Sequence, residues 1–206
     1  MDLTELPSSP IPGLNVVELT HVHVGALQRF FENNSEYSMA MNGEPPGPNE
    51  AREAIFGELP AGWSFTKKWV IGYRDANGVV VAMANVVSDL LAPSVWHIGL
   101  FMVATERHGD GSSQKICRGL EAWAHANGAS WLRLGVVQGN VKAERFWQKL
   151  GFIEVRIRRD VAMGRLTNTI RAMFKPLRGG TLEQYLDLVE RDRPDAESAP
   201  PPPSPG

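Results

Sequence analysis

The stretch "ERHGDGSSQKICRGLEAWAHANG", residues 106–128, places a glycine-rich turn directly before a long helical pattern. An apolar segment typical of a strand precedes it, glycines and serines crowd one short turn, and a long helical pattern follows. Glycines allow a close backbone approach, and the first turn of a helix leaves N–H groups unpaired at its positive end. The turn "HGDGSS" therefore predicts a site for an anion.

Two well-known nucleotide sites do not fit this turn. A dinucleotide fingerprint needs GxGxxG and an acidic residue after the next strand, but that strand ends "GVVQGN". A nucleoside triphosphate loop needs GxxxxGK[ST], which the sequence lacks. The turn therefore matches neither of these two nucleotide-binding motifs.

Over about residues 14–177 the chain resembles the GNAT superfamily of acyl-CoA N-acyltransferases. In the family loop [QR]-x-x-G-x-[GA], His108 replaces Gln or Arg, Gly111 is kept, and Ser113 replaces the last small residue. The family's second motif, N-x-x-A-x-x-F-[YW]-x-[KR]-x-G-F, is met by "NVKAERFWQKLGF", residues 140–152. The two motifs occur in order, with one helix and one strand between them.

The resemblance implies a mixed α/β fold: a mostly antiparallel central sheet with one splayed parallel pair, flanked by helices. The sequence pattern agrees, because a hairpin signal at Asn77-Gly78 is followed by strand, helix, strand, helix and strand. We expect a loop over residues 35–50, "SEYSMAMNGEPPGPNE", and a helix starting near Asn49.

The chain divides into four segments. We expect an N-terminal extension over 1–13, the acetyltransferase domain over 14–177 and a C-terminal helix over 178–191. Residues 192–206 have the proline-rich composition of a disordered tail.

Composition excludes several classes of protein. With 206 residues, 43% hydrophobic, and a formal charge of -2, the chain is typical of a globular domain and not of a nucleic-acid or membrane-surface binder. The single cysteine, Cys117, excludes an internal disulfide, and no Cys/His spacing suggests a metal site. The first residues lack the pattern of a signal peptide, so we expect a cytoplasmic protein.

The resemblance implies acetyl-CoA as the cofactor and assigns its contacts. The pyrophosphate lies on the loop, the pantetheine arm pairs with the end of the preceding strand, and the second motif contacts the arm. The implied cofactor-binding residues are Phe101, Met102, Val103, His108, Gly109, Asp110, Gly111, Ser112, Ser113, Asn140, Phe146 and Trp147. Asp110 is a departure, since a carboxylate near a pyrophosphate is unfavourable unless nearby bases offset it.

Three residues are candidates for catalysis. A glutamate on the strand before the loop is often the base in this family, and alignment places His97 there; the alternative is a hydrogen-bonded core histidine. Glu36 and Tyr37 belong to the early loop on the acceptor side. Trp147 replaces the family's usual tyrosine, and an indole cannot deliver a proton to the leaving thiolate.

The predicted function is direct transfer of an acetyl group from acetyl-CoA to a primary amine of a small molecule or a protein. The mostly neutral or acidic early loop favours a cationic acceptor. A rival hypothesis is a non-catalytic acyl-CoA-binding module acting as a sensor or partner protein. A third places the function in the proline tail. The family often forms homodimers, and nothing in the sequence identifies an interface.

Overall fold

A seven-stranded mixed sheet forms the centre of the computed structural model, which describes residues 5–196. Its strands, in the order β1-β2-β3-β4-β5-β7-β6 across the sheet, are β1 (Asn15–Glu18), β2 (Lys67–Arg74), β3 (Val80–Ser88), β4 (Val95–Val103), β5 (Trp131–Val137), β6 (Ile153–Met163) and β7 (Leu166–Pro176). All neighbours are antiparallel except β4 and β5, which are parallel. The predicted sheet with one parallel pair is confirmed.

Helices cover both faces of this sheet. They are α1 (Val24–Asn33), α2 (Glu36–Asn42), α3 (Glu50–Phe56), α4 (Ser112–Ala126), α5 (Val141–Lys149) and α6 (Leu182–Leu188), with 3₁₀ turns at His21–His23, Thr105–Arg107 and Glu190–Asp192. The helices α4 and α5 pack on one face, and α1, α3 and α6 contribute buried side chains to the other. None of the helices in residues 5–196 is long and apolar enough to cross a membrane.

The local predictions agree with the structure in most places. The Asp75 carboxylate accepts hydrogen bonds from the N–H groups of Asn77 and Val79 and closes the predicted β2–β3 hairpin. Helix α3 begins directly after Asn49, as expected. The loop predicted over 35–50 is wrong in its first half, which forms α2. Its prolines and Gly47 come after Asn42, so the preceding residues are free to form a helix.

Three tryptophans hold β2, β4 and α4 together. The rings of Trp69 and Trp96 stack with centroids 5.3 Å apart, and Trp123 packs edge-on against both at 5.1 and 5.2 Å. The Trp123 Nε1–H donates to the carbonyl of Glu5 at 2.8 Å, which ties the N-terminal segment to α4. Such a cluster buries a large apolar area and makes β4 a rigid support for the site.

The C-terminal segment contributes a buried ion pair to the fold. Arg133 on β5 donates to both carboxylate oxygens of Asp192, at 2.7 and 2.8 Å, and the Tyr185 hydroxyl donates to the same carboxylate at 2.6 Å. Asp192 is fully buried, so the segment does not become a disordered tail at residue 192 as the sequence predicts. The rest of that predicted tail, 197–206, lies outside the described residues.

Candidate active site

The strands β4 and β5 part halfway along their length. They pair only over Val95–Ile98 and Trp131–Leu134. Beyond this point β4 pairs only with β3 and carries a bulge at Gly99, while β5 stays paired with β7. The opening holds a cleft of about 570 Å³ that reaches from the start of α4 to α2. A deep cleft at the point where two parallel strands separate is a common place for a ligand.

The start of α4 offers an anion site at one end of this cleft. Gly109 and Gly111 have φ angles of +91° and +86°, and a Cβ added at either would meet no atom within 4 Å. Ser113 and Gln114 line the cleft, and their backbone N–H groups have no partner among the described residues. Free N–H groups at the positive end of a helix, with open space above them, suit a pyrophosphate.

Asp110 points at the helix instead of the cleft. Its carboxylate accepts hydrogen bonds from the Ser112 N–H at 2.7 Å and the Ser112 hydroxyl at 2.8 Å. These bonds hold the pKa of the Asp110 carboxyl below its usual range. Neither residue lines the cleft, although both were predicted to contact the cofactor. The carboxylate therefore occupies one N–H group of the helix start and leaves the next ones free.

His108 links the loop to the helix on the other side of the cleft. Its Nε2 lies 2.9 Å from the Val103 carbonyl, which can only accept, so Nε2 carries the proton. The Lys142 ammonium donates to Nδ1 at 2.8 Å. The loop, β4 and the start of α5 are thus joined, and a lysine charge lies at the mouth of the cleft.

The remaining predicted cofactor residues form the walls of the cleft. Phe101, Met102 and Val103 present the unpaired edge of β4, and the Asn140 side chain caps α5 by accepting from Ala143 N–H at 3.2 Å. Aromatic rings of Phe101, Phe146 and Trp147 pack together with centroids 4.9 to 6.0 Å apart. An open strand edge beside an apolar wall suits a long, amide-bearing ligand.

Glu36 and Tyr37 line the other end of the cleft, on α2. Burial raises the pKa of Tyr37 to about 12, and the negative charge of Glu50 adds to this effect. Its hydroxyl therefore keeps its proton at neutral pH and can donate a hydrogen bond.

His97 does not line the cleft. Its imidazole Nδ1 lies 3.4 Å from Nη1 of Arg133. Burial and the Arg133 charge lower the pKa of His97 to about 3, although Asp192 opposes this shift. The structure thus brings Glu36 and Tyr37 together in the cleft and places His97, as a neutral imidazole, beside the buried ion pair.

Comparison with known proteins identifies the family. The model of the acetyltransferase (GNAT) family matches residues 35–152, more than half of the chain. The chain therefore belongs to the GNAT family of acetyltransferases. No curated protein is similar enough in sequence to count as a relative.

Solved structures share the fold. A GCN5-related N-acetyltransferase from Kribbella flavida is 23% identical, with a TM-score of 0.58, and the match covers 80% of this chain and 98% of that one. A spermidine N-acetyltransferase from Vibrio cholerae, in complex with CoA and spermine, is 15% identical over 81% and 97%, with a TM-score of 0.61. The ribosomal-protein-S18-alanine N-acetyltransferase from Escherichia coli is 14% identical over 82% and 97%, with a TM-score of 0.57.

Several polar residues of the cleft were not predicted from the sequence, among them Lys142 and Asn34. Lys142 is a cation in the first turn of a helix, where the dipole disfavours it, and that mismatch was a readable signal. Asn34 accepts from the Thr105 N–H at 2.7 Å and donates to the Phe30 carbonyl at 2.7 Å. It connects α1 to the turn before the anion loop across 71 residues, and no local pattern indicates such a contact.

Proposed function

We propose that this protein transfers an acetyl group from acetyl-CoA directly to a primary amine. The observation that carries the proposal is one continuous cleft, which joins a free helix start at α4 to two polar side chains on α2. Other members of the fold include acetyltransferases named for spermidine and for a ribosomal-protein alanine, so the acceptor is a small molecule or a protein amine.

The residues of the cleft fit acetyl-CoA. The N–H groups at the start of α4 would hold its pyrophosphate, and Lys142 would add a positive charge. The edge of β4 over Phe101–Val103 would hold the pantetheine amides, with Phe146 and Trp147 as the apolar wall. Bound there, acetyl-CoA supplies the acetyl thioester.

The amine must lose a proton before it can attack, because an alkylammonium resembling lysine has a pKa near 10.4. We assign this proton to the Glu36 carboxylate, directly or through one water. A histidine with a pKa of about 3 is a poor base at neutral pH, so the proposal gives His97 no proton transfer. The Tyr37 O–H donates a hydrogen bond toward the leaving sulfur. Cys117 is buried, and burial raises the pKa of its thiol, which favours direct transfer over a cysteine relay.

The test is thiol release from acetyl-CoA with a broad panel of amines. For an amine that is consumed, Glu36→Gln is expected to lower kcat/KM by about 100-fold or more, and Tyr37→Phe by about tenfold. The exposed Glu53→Gln on α3 is the matched control and should leave the rate unchanged.

Two outcomes would contradict parts of the proposal. Saturable acetyl-CoA binding without consumption of any amine would favour the non-catalytic sensor module. A loss of 100-fold in His97→Asn, with Glu36→Gln near the wild-type rate, would return the base to His97.

A further inference from the structure

Four arginines lie close together near one buried carboxylate, and one of them, Arg133, is on the part of β5 that pairs with β4. The Asp192 carboxylate is the negative group, and the charges of Arg133, Arg156, Arg158 and Arg191 act on one another around it. His97 is neutral, so the cluster has a local excess of positive charge. Such an excess of positive charge attracts anions.

Arg158 lies on β6, the edge strand of the sheet beside β7. It pairs across β7 with Ile170, which pairs in turn with Val137 on β5. Directly opposed residues of neighbouring strands share a face, and a Cβ added at Gly135 would lie 3.0 Å from the Ile170 side chain. The cleft residues Gly135 and Val137 are thus on the same face as Arg158.

The distance between the cleft at β5 and Arg158 on β6 suits a small acceptor. Neighbouring strands lie about 4.8 Å apart, so β6 is about 10 Å from β5. An arginine side chain and a ligand of a few bonds together span this distance. A molecule whose amine lies at the parting of β4 and β5 can therefore reach Arg158 with its other end.

Three of the four guanidinium groups are already engaged. Arg133 pairs with Asp192, and Arg156 donates to the carbonyls of Arg191 and Ala196. The Arg191 guanidinium lies 4.5 Å from the ring centre of Trp63. Arg158 makes no ion pair or side-chain hydrogen bond with any residue of 5–196.

The surroundings of Arg158 make a free charge unfavourable. Burial lowers the pKa of its guanidinium, and the Arg133 and Arg156 charges lower it further against the opposing effect of Asp192. A half-buried guanidinium without a partner gains most from a carboxylate or phosphate, which it can bind through two parallel hydrogen bonds.

The cleft itself contains a negatively charged side chain. Glu44 is paired with Arg165 at 2.8 Å, while Glu36 lines the cleft. From the sequence alone, the mostly neutral or acidic early loop favoured a cationic acceptor. With Glu36 in the cleft and Arg158 on β6, two strands away from β5, the charges suit a molecule with an ammonium at one end and an anion at the other.

We infer that the acceptor amine carries an anionic group, a carboxylate or a phosphate, which Arg158 binds beside the opening between β4 and β5. The inference rests on the proposed acetyl transfer, and it names the substrate class of that same site. Arg158 determines specificity and takes no part in the chemistry.

Matched pairs of amines test this inference. Each amino acid is compared with its own carboxamide, and O-phosphoethanolamine with ethanolamine, by thiol release from acetyl-CoA. The expected result is a kcat/KM at least about tenfold higher for the anionic member of a consumed pair. The two kinds of pair distinguish a carboxylate from a phosphate. The carboxamide has the less basic amine. Amine basicity alone would therefore favour the carboxamide over its amino acid.

Variants assign the preference to one residue. Arg158→Gln is expected to raise the KM about tenfold for the amine that carries an anionic group. The KM of its partner without that group should change by less than about twofold. Arg158→Lys keeps the charge and should retain part of the preference. Arg159→Gln makes the same change at the next, exposed residue and should alter neither amine. Thermal unfolding of each variant checks that the fold is retained.

Two results would overturn the inference alone. One is an equal or higher kcat/KM for the member without the anionic group in every consumed pair. The other is an equal loss of kcat/KM for both members of a pair in Arg158→Gln. Acetyl-CoA binding without turnover of any amine would instead overturn the proposed function, and the inference with it.

Discussion

The Asp110 carboxylate has opposite effects on the stability of α4 and on the binding of the proposed ligand. It accepts two hydrogen bonds from Ser112 and so stabilises the start of α4, but its charge lies next to the site proposed for a pyrophosphate. Arg107 and Lys115 act on the same carboxyl and offset part of this charge.

Asp110→Asn removes the charge and keeps an oxygen that can cap the helix. We expect acetyl-CoA to bind this variant about two- to fivefold more tightly at low salt, with the gain shrinking as salt screens the charge. Calorimetric titration at two salt concentrations measures both effects. Weaker binding of the variant at both would mean that the carboxylate helps to hold the ligand.

His97 makes stability depend on pH. Its pKa is about 3 in the folded protein and near 6.5 in the unfolded chain, so below pH 6.5 the unfolded chain binds the additional proton. The contribution of neutral His97 to the free energy of unfolding is therefore fully present above pH 6.5. It is lost as the pH falls toward 3, by up to about 1.4 kcal/mol per pH unit.

Urea unfolding between pH 4.5 and 7 measures this slope, in a range where Asp192 stays ionised because its pKa is lowered. His97→Asn should give a flatter dependence, even if its stability at pH 7 is lower. Identical slopes for the two proteins would show that His97 titrates normally in the folded state.

The C-terminal segment, which contains α6 and Asp192, is held to β5 by a buried ion pair. Arg133 and Asp192 are both buried, and Tyr185 on α6 donates to the same carboxylate. Removing one member of such a pair leaves the other buried without a partner.

Asp192→Ala is expected to lower the free energy of unfolding by about 3–5 kcal/mol. The control is Asp187→Ala on α6, whose exposed carboxylate lies 3.9 Å from Arg193 and should change stability by about 0.5 kcal/mol or less. Chemical denaturation of both variants measures the difference. Similar small losses in the two would mean that the segment does not depend on this ion pair.

The features of the molecule that short sequence motifs encode could be predicted from the sequence, and the contacts between distant residues could not. The anion loop at 108–113 and the second motif at 140–152 are short patterns, so their positions beside the cleft could be expected from the resemblance. The surroundings of His97 could not. His97 contacts Arg133, 36 positions away, and Arg133 in turn pairs with Asp192, 59 positions further along the chain. Helix α2 was missed because the turn formers that follow it dominated the pattern of residues 35–50.

The cleft between β4 and β5 follows from the whole sheet. Its existence depends on a bulge at Gly99 and on the early end of β4–β5 pairing, and both are properties of strand register. Its two ends come from α4 and α2, which belong to opposite faces. The cleft thus joins elements from the two faces of the sheet.

Calorimetric titration is the direct test of whether this cleft binds acetyl-CoA, as we propose. Acetyl-CoA and desulfo-CoA are expected to bind saturably at one site, and ATP is not. Gly111→Val should weaken both by about tenfold or more, because it forces a β-branched residue to a φ of +86° and fills the open space above the helix start. No binding of either coenzyme A form, or equal binding in Gly111→Val, would contradict the account.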